Sequence, residues 1–140
     1  MAGLAYQCDK GIKSGNLAAS VNTSPSFVRR VLAKLSRAGL VETATGNAGA
    51  CWLARDVKEI SLLDIYEAVD APRAFSIHSY DEQKACPVSC HIKVTLERAL
   101  AKTQKAMEAS LAKISLAQIV SAVRKKQAVI FIDAVLVTTH

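Results

Sequence analysis

Long apolar runs and aromatic side chains are scarce in this sequence of 140 residues. Aromatic residues make up only 5% of the chain although 51% of it is hydrophobic, which predicts a mainly helical protein with an aliphatic core. The longest apolar segment, Ala128 to Val137, is interrupted by Asp133 and falls short of the roughly 20 residues that span a bilayer. The amino terminus has no basic region followed by an apolar run and a cleavage site. We therefore expect a cytoplasmic protein with no membrane partner.

Enzyme motifs are also missing. The sequence contains no nucleotide-binding glycine loop, no HExxH pair and no nucleophile motif. We therefore predict no enzymatic activity and no catalytic residues. The chain has only four cysteines, and in a reducing compartment these are not expected to form a structural disulfide framework.

Acidic residues are absent between Lys10 and Val41, a stretch that holds six basic residues. The other residues comprise 12 basic and 12 acidic side chains, so the formal charge of +6 belongs wholly to this stretch. Such a concentration of positive charge is typical of a protein that binds duplex DNA. The plainer interpretation is an ordinary helix with a solvated basic face.

The same stretch is predicted to contain two short helices joined by a turn. Ser14 would cap the first helix, Gly15 to Val21. Ser24 as N-cap and Pro25 as the first helical residue begin the second, which ends at Gly39. Its predicted apolar stripe consists of Phe27, Val28, Val31, Leu32 and Leu35.

Two extended runs follow, Leu40 to Thr43 and Ala50 to Leu53, separated by a glycine-rich turn. Helix, turn, helix and hairpin in this order predict a winged helix-turn-helix. Before it, Ala2 to Asp9 is predicted to be the end of a helix with Gly11 as its C-cap residue.

The rest of the chain is predicted to form a helix after Ser61, a polar loop, and a long helix from Pro87 to about Lys113. A short helix should follow Ser115 and reach Val123. The predicted divisions are 1–72 for the DNA-binding domain, 73–89 for a sensor loop, 90–127 for a dimerisation helix with a short capping helix, and 128–140 for a β-prone tail of unknown placement. The fold class is thus mainly α, a winged helix-turn-helix with a long C-terminal dimerisation helix.

A helix in the major groove brings its amino end closest to the bases, and arginine suits a bidentate contact to guanine. Side chains further along should meet phosphates, and the wing should contribute its backbone. The predicted DNA-contacting residues are Ser24, Pro25, Ser26, Arg29, Arg30, Lys34, Arg37, Thr45, Gly46 and Asn47.

The segment Cys86 to His91 is the candidate sensor. If Pro87 begins the long helix, Cys86 lies near its N-cap, and Cys90 follows about one turn later. Amides at a helix amino end favour a thiolate, so Cys86 and Cys90 could form a thiol switch, with His91 nearby. The alternative is a pair of small buried residues without a redox role. No metal site is predicted, because a cluster or zinc commonly needs four ligands and only three candidates are grouped here.

The pattern resembles one family closely. The matching residues are Leu17 to Ala19, Thr23 to Val28, Val31, Leu32, Leu35, Ala38 to Val41, Gly46, Gly49, Leu53 to Arg55 and Ile60 to Val69. This pattern is similar to that of the winged-helix regulators that include IscR and NsrR, the Rrf-two family. The resemblance implies a homodimeric, cytoplasmic transcription regulator that binds double-stranded DNA, with the long helix at the dimer interface.

By position, Ser26 and Arg29 match recognition-helix residues that face bases in the family. Thr45 falls where many members have a wing arginine, and Ala50 and Cys51 replace a usual glycine and tyrosine. Cluster-binding members have three cysteines in the sensor region, whereas this chain has two. The resemblance therefore points to a cluster-free branch that responds to an oxidant or a small molecule.

We expect a repressor with Cys86 and Cys90 as the switch and no cofactor. Two alternatives remain open. One is an iron–sulfur-sensing regulator of the same fold, with His91 or an acidic residue as an extra ligand. The other is a winged-helix protein-interaction module whose basic face meets an acidic partner.

Overall fold

The computed structural model describes residues 1–6, 11–44, 49–77 and 86–137, with the backbone alone at 87, 90 and 128–137. The described residues are mainly helical, as predicted, with one small antiparallel sheet. Their elements in chain order are α1 Ala2–Tyr6, β1 Ile12–Lys13, α2 Ser14–Ser20, α3 Pro25–Arg37, β2 Val41–Thr43, β3 Ala50–Leu53, α4 Leu62–Ala68, α5 Pro87–Leu111 and α6 Leu116–Val137.

The predicted helix-turn-helix is confirmed in α2 and α3. Asn22 has a left-handed backbone (φ 50°) in the turn between the helices. The Ser24 hydroxyl accepts a hydrogen bond from the Phe27 amide at 3.2 Å, and Pro25 follows it as predicted. At the other end, Gly39 has a φ of 66°, which favours glycine and ends the helix.

The wing is a hairpin of β2 and β3 in antiparallel register, with Val41 opposite Leu53 and Thr43 opposite Cys51. The two predicted strands are therefore confirmed. A third strand, β1, pairs with the other side of β3 and was not predicted, because two residues are too few to show an alternating pattern.

The described part of the predicted amino-terminal helix is α1, and residues 7–10, where that helix was predicted to end, lie outside the described residues. Gly11 lies close to β3: a Cβ on it would be 2.8 Å from the Ala50 Cβ, so glycine permits this approach. Ser14 is the first residue of α2 rather than its cap, because Lys13 occupies the N-cap position without a side-chain hydrogen bond.

The hydrophobic core contains side chains from α1 and from the start of α6 as well as from the winged helix-turn-helix. Its most buried side chains are Leu4, Ala5, Leu32, Leu35, Leu40, Val41, Cys51, Ile60, Leu116 and Val120. The α6 backbone also docks on the segment before α4, where the Leu116 amide donates to the Ile60 oxygen at 2.8 Å. Leu116 and Val120 of α6 therefore belong to the same core as the side chains of the predicted 1–72 unit.

The predicted long helix is confirmed as α5, which has 25 residues. The prediction for the carboxyl end is wrong: α6 does not stop at Val123 but continues to Val137, with 22 residues in all, so residues 128–137 are helical rather than extended. No glycine or proline interrupts this stretch. Once a helix is nucleated, each added residue gains a backbone hydrogen bond, and this outweighs the weak β-propensity of valine and isoleucine. Within the described part of the chain, no helix has the length and apolar character that crossing a membrane requires.

Candidate nucleic-acid interface

The exposed side of α3 carries the basic residues that the sequence singled out. Ser24, Pro25, Ser26, Arg29, Arg30 and Arg37 are all exposed, whereas Leu32 and Leu35 point into the core. Among the described residues, Arg29, Arg30 and Arg37 have no carboxylate partner. The helix therefore presents uncompensated positive charge to solvent on one face, as a phosphate-binding surface requires.

The first turn of α3 is fixed by its own side chains. The Ser24 hydroxyl caps the helix and also lies 3.3 Å from the Ser26 hydroxyl. Ser24 and Pro25 thus set the position of the turn, and Ser26 adds an exposed hydroxyl that can donate or accept. These groups lie at the helix end that approaches bases in helix-turn-helix proteins.

Phe27 departs from the predicted apolar stripe. Its side chain is 49% exposed and is not among the residues packed against the core, unlike Val28 and Val31 beside it. The Arg30 guanidinium lies 5.9 Å from the centre of the Phe27 ring, within the range of a cation–π contact. The sequence pattern assigned Phe27 to the buried stripe because its position matches helical spacing. The position lies at the outer edge of the stripe, where the side chain remains exposed.

Lys34 has an intramolecular partner where a phosphate contact was predicted. Its ammonium donates to the Val69 carbonyl oxygen at 2.8 Å and lies 3.1 Å from the Asp70 carboxylate. Asp70 follows the C-terminal end of α4 in a left-handed conformation (φ 50°). Lys34 therefore ties α3 to α4. Arg37, by contrast, bonds to the Ala33 carbonyl oxygen of its own helix, at 3.4 Å, and has no other hydrogen-bond partner among the described residues.

The predicted wing contacts Thr45, Gly46 and Asn47 lie outside the described residues. Beside them, the Ala44 amide donates to the Ala50 oxygen at 2.9 Å, and Gly49 has a φ of 45°. The hairpin also exposes Trp52, whose indole N–H donates to the Glu42 carboxylate at 2.8 Å. This cross-strand bond stabilises the wing on its exposed face.

The sensor segment is only partly described, because residues 78–85 lie outside the described ranges. Cys86 is an exposed free thiol at the N-cap of α5, as predicted, and forms no side-chain capping bond. Cys90 lies in the first turns of the same helix, and the His91 side chain is exposed. The backbone thus places Cys86 and Cys90 four residues apart at the amino end of α5.

The other potential metal ligands that the structure describes lie apart from one another. No group of three or more His, Cys, Asp or Glu side chains comes together in the part of the chain that the structure describes. Cys51 is buried in the core and donates to the Ile12 carbonyl oxygen at 2.9 Å. Burial raises the pKa of the Cys51 thiol above its usual value. Of the four cysteines, only Cys51 and Cys86 have side chains that the structure describes.

Three hydrogen bonds connect α4, α5 and the segment around Pro72 and Ala74 that leads to the sensor. The Gln104 side chain accepts from the Ala74 amide at 3.1 Å and donates to the Tyr66 hydroxyl at 3.2 Å. Tyr66 in turn donates to the Pro72 oxygen at 2.7 Å. We call these four residues the Gln104 clasp. Its pairs lie up to 38 positions apart in sequence, so no local pattern indicated it.

Comparison with known proteins decides the family. Residues 1–122 match the family described as Rrf2, iron-dependent transcriptional regulators. The chain belongs to the Rrf2 family. It is therefore a DNA-binding transcription regulator, as the resemblance in the sequence predicted.

Individual Rrf2 proteins agree with this assignment. The HTH-type transcriptional regulator YwnA of Bacillus subtilis is 36% identical over 114 residues, which cover 81% of this chain and 84% of YwnA. Among solved structures, IscR of T. potens has a TM-score of 0.65 at 22% identity and covers 90% of this chain and 81% of IscR. CymR of B. subtilis, the global cysteine regulator, has a TM-score of 0.60 at 20% identity, over 86% and 87% of the two chains. These two structures support the fold.

Proposed function

We propose that this Rrf2 protein is a homodimeric repressor that places α3 in the major groove of its operator. The observation that carries the proposal is the row of uncompensated arginines on the exposed side of α3. Arg29 and Arg30 lie nearest the amino end of the helix, where they are suited to bidentate contacts with guanine, and Ser26 adds a hydrogen-bonding group. Arg37 lies near the other end and is suited to a phosphate.

Lys34 takes a different role in this proposal from the other cations. Its ammonium already has a carbonyl and a carboxylate as partners, so a phosphate would have to replace them. We assign it to the positioning of α3 against α4. Thr45, Gly46 and Asn47 are proposed to approach the DNA backbone through their main chain, because the sequence has no basic side chain at the tip of the wing.

The dimer interface is proposed to lie on α5. Several large apolar side chains of this helix are exposed in the single chain: Val88, Ile92, Val94 and Leu96. A helix of 25 residues with such a surface is suited to packing against a second copy. Two copies would present two α3 helices, which is how helix-turn-helix dimers read two half-sites.

Cys86 and Cys90 are proposed as the sensor. Oxidation by hydrogen peroxide would join the two sulfur atoms in a disulfide. The two thiols lose two electrons and two protons, and hydrogen peroxide takes them up to give two molecules of water. Cys86 is the N-cap residue of α5 and Cys90 lies in the first turns of the helix. A disulfide between them needs Cβ atoms about 4 Å apart, so its formation would fix the conformation of the helix start, next to the proposed dimer interface.

The test is equilibrium binding, by fluorescence anisotropy, to the DNA upstream of the protein's own gene. The protein is measured fully reduced, after mild peroxide treatment, and after re-reduction by a dithiol. The proposal expects tight sequence-dependent binding in the reduced state and a reversible change on oxidation. The variants Cys86→Ser and Cys90→Ser should bind like the reduced protein in every condition, whereas Cys51→Ser should keep the oxidant response.

Other results would contradict parts of the proposal. Tight specific binding that ignores peroxide would keep the regulator but remove the thiol switch, and would direct attention to a small molecule or to a cluster. Iron and visible absorbance after anaerobic purification would favour the cluster, in line with the family description as iron-dependent. Weak binding that is indifferent to sequence would instead favour a protein-interaction module with an acidic partner.

A further inference from the structure

Phe27 is a large aromatic residue on the exposed side of α3 whose ring is not packed against the core in the described chain. Its ring is 49% exposed, and the core contains its neighbours Leu32 and Leu35 but not Phe27. The amide of the same residue is fixed by the Ser24 hydroxyl at 3.2 Å, so the position of the residue is set by the helix cap rather than by packing of its ring.

Its surroundings are those of the base-reading end of α3. Ser26 precedes it, and Arg30, one turn later, places its guanidinium 5.9 Å from the ring centre. Residues three apart on a helix are surface neighbours. A side chain in this first turn is therefore among the closest to base edges when the helix lies in the major groove.

The Phe27 ring can recognise only an apolar group on a base. Phenylalanine offers no hydrogen bond, so it cannot read the donor and acceptor pattern of a base pair. The apolar feature of the major groove is the 5-methyl group of thymine, and phenylalanine is one of the side chains that contacts it. The Arg30 guanidinium, held beside the ring, is placed for a guanine close to that thymine.

We propose that Phe27 is a specificity-determining residue that reads a thymine methyl group in each half-site, next to the base pair contacted by Arg30. The inference rests on the proposed placement of α3 in the major groove. It adds an apolar base contact to the charged and hydrogen-bonding side chains of the predicted set.

The test replaces each thymine of the bound upstream duplex in turn by uracil, which removes only the methyl group. The wild-type protein should bind about fourfold more weakly when the contacted thymine is replaced, the loss expected for one methyl group. Phe27→Ala should bind the thymine and uracil duplexes equally at that position. Phe75→Ala, a matched change at an exposed phenylalanine outside α3, should keep the wild-type difference.

Circular dichroism confirms that the variants are folded, and Phe27→Leu, which should reduce the methyl effect, serves if Phe27→Ala does not fold. Wild-type binding that ignores every uracil substitution would overturn the inference, as would an unchanged methyl effect in Phe27→Ala. If the wild-type protein binds no upstream duplex specifically, the placement of α3 itself is overturned. That failure is distinct, because it is seen before any uracil is introduced.

Discussion

Lys34 lies on the recognition helix, yet its ammonium is 2.8 Å from the Val69 oxygen and 3.1 Å from the Asp70 carboxylate at the end of α4. One basic residue in the predicted DNA-binding set thus connects two helices of the domain. The C-terminal end of α4 carries the negative end of the helix dipole, which favours a cation there. The position of α3 is therefore linked to the element that leads toward the sensor.

Lys34→Met should separate this structural role from a phosphate contact. The side chains are partly exposed, so we expect a loss of only about 1 kcal/mol in the free energy of unfolding. The salt dependence of DNA binding should not change. Arg37→Met is the matched variant, and it should leave stability unchanged while reducing the salt slope by about one. A reduced slope in Lys34→Met would assign Lys34 to a phosphate after all.

Asp64 predicts how stability responds to acid. The Ser61 hydroxyl and amide donate to its carboxylate at 2.6 and 2.7 Å and lower the pKa of Asp64 below its usual value. Because the pKa is lower in the folded state, this contribution is fully present above the unfolded pKa, about 3.9, and is lost as pH falls through the folded pKa.

Urea unfolding at about pH 6 and about pH 3 checks this expectation. The wild-type protein should lose more stability between the two values than Asp64→Asn, whose amide does not titrate. Asp56→Asn is the control, because Asp56 also accepts a hydrogen bond from a backbone amide, that of Lys58, but lies outside the helix cap. This variant should lose as much stability as the wild-type protein between the two pH values. Equal acid sensitivity in wild type and Asp64→Asn would disprove the role of the cap.

Leu116 tests whether α6 belongs to the DNA-binding core. Its side chain is only 1% exposed and packs with residues from the amino-terminal half. Leu116→Ala should therefore lower the free energy of unfolding by about 2 to 5 kcal/mol. Val123→Ala, at a position of the same helix that is 48% exposed, should change it by less than about 0.5 kcal/mol. A small effect of Leu116→Ala would show that α6 contributes little to the stability of the core.

The Gln104 clasp should hold the segment before the sensor in place. Gln104→Leu removes the acceptor of the Ala74 amide, so hydrogen exchange at that amide should become about tenfold faster, equivalent to about 1.4 kcal/mol. Lys102→Leu, an exposed change on the same helix, should leave this exchange unchanged. Equal exchange in Gln104→Leu and wild type would show that the clasp does not restrain the segment.

The features that the sequence predicted correctly are those with local signals. Ser24 and Pro25 begin α3 and Gly39 ends it through backbone preferences that act within a few residues. The contacts of Lys34 with Val69 and of Gln104 with Ala74 and Tyr66 were not predicted, because each joins residues 30 or more positions apart. The tail was predicted wrongly because β-propensity was given more weight than the continuity of a helix without a breaker.

The central claim is that the arginines of α3 read DNA sequence. Its most direct test is the ratio of affinities for the upstream operator and for a scrambled duplex of equal length, measured at fixed salt. For the wild-type protein we expect a ratio of about a thousand or more. Arg29→Ala and Arg30→Ala should each lower it by about tenfold or more, whereas Arg98→Ala, an exposed change on α5, should not. A wild-type ratio near one, or arginine variants with the wild-type ratio, would contradict the claim.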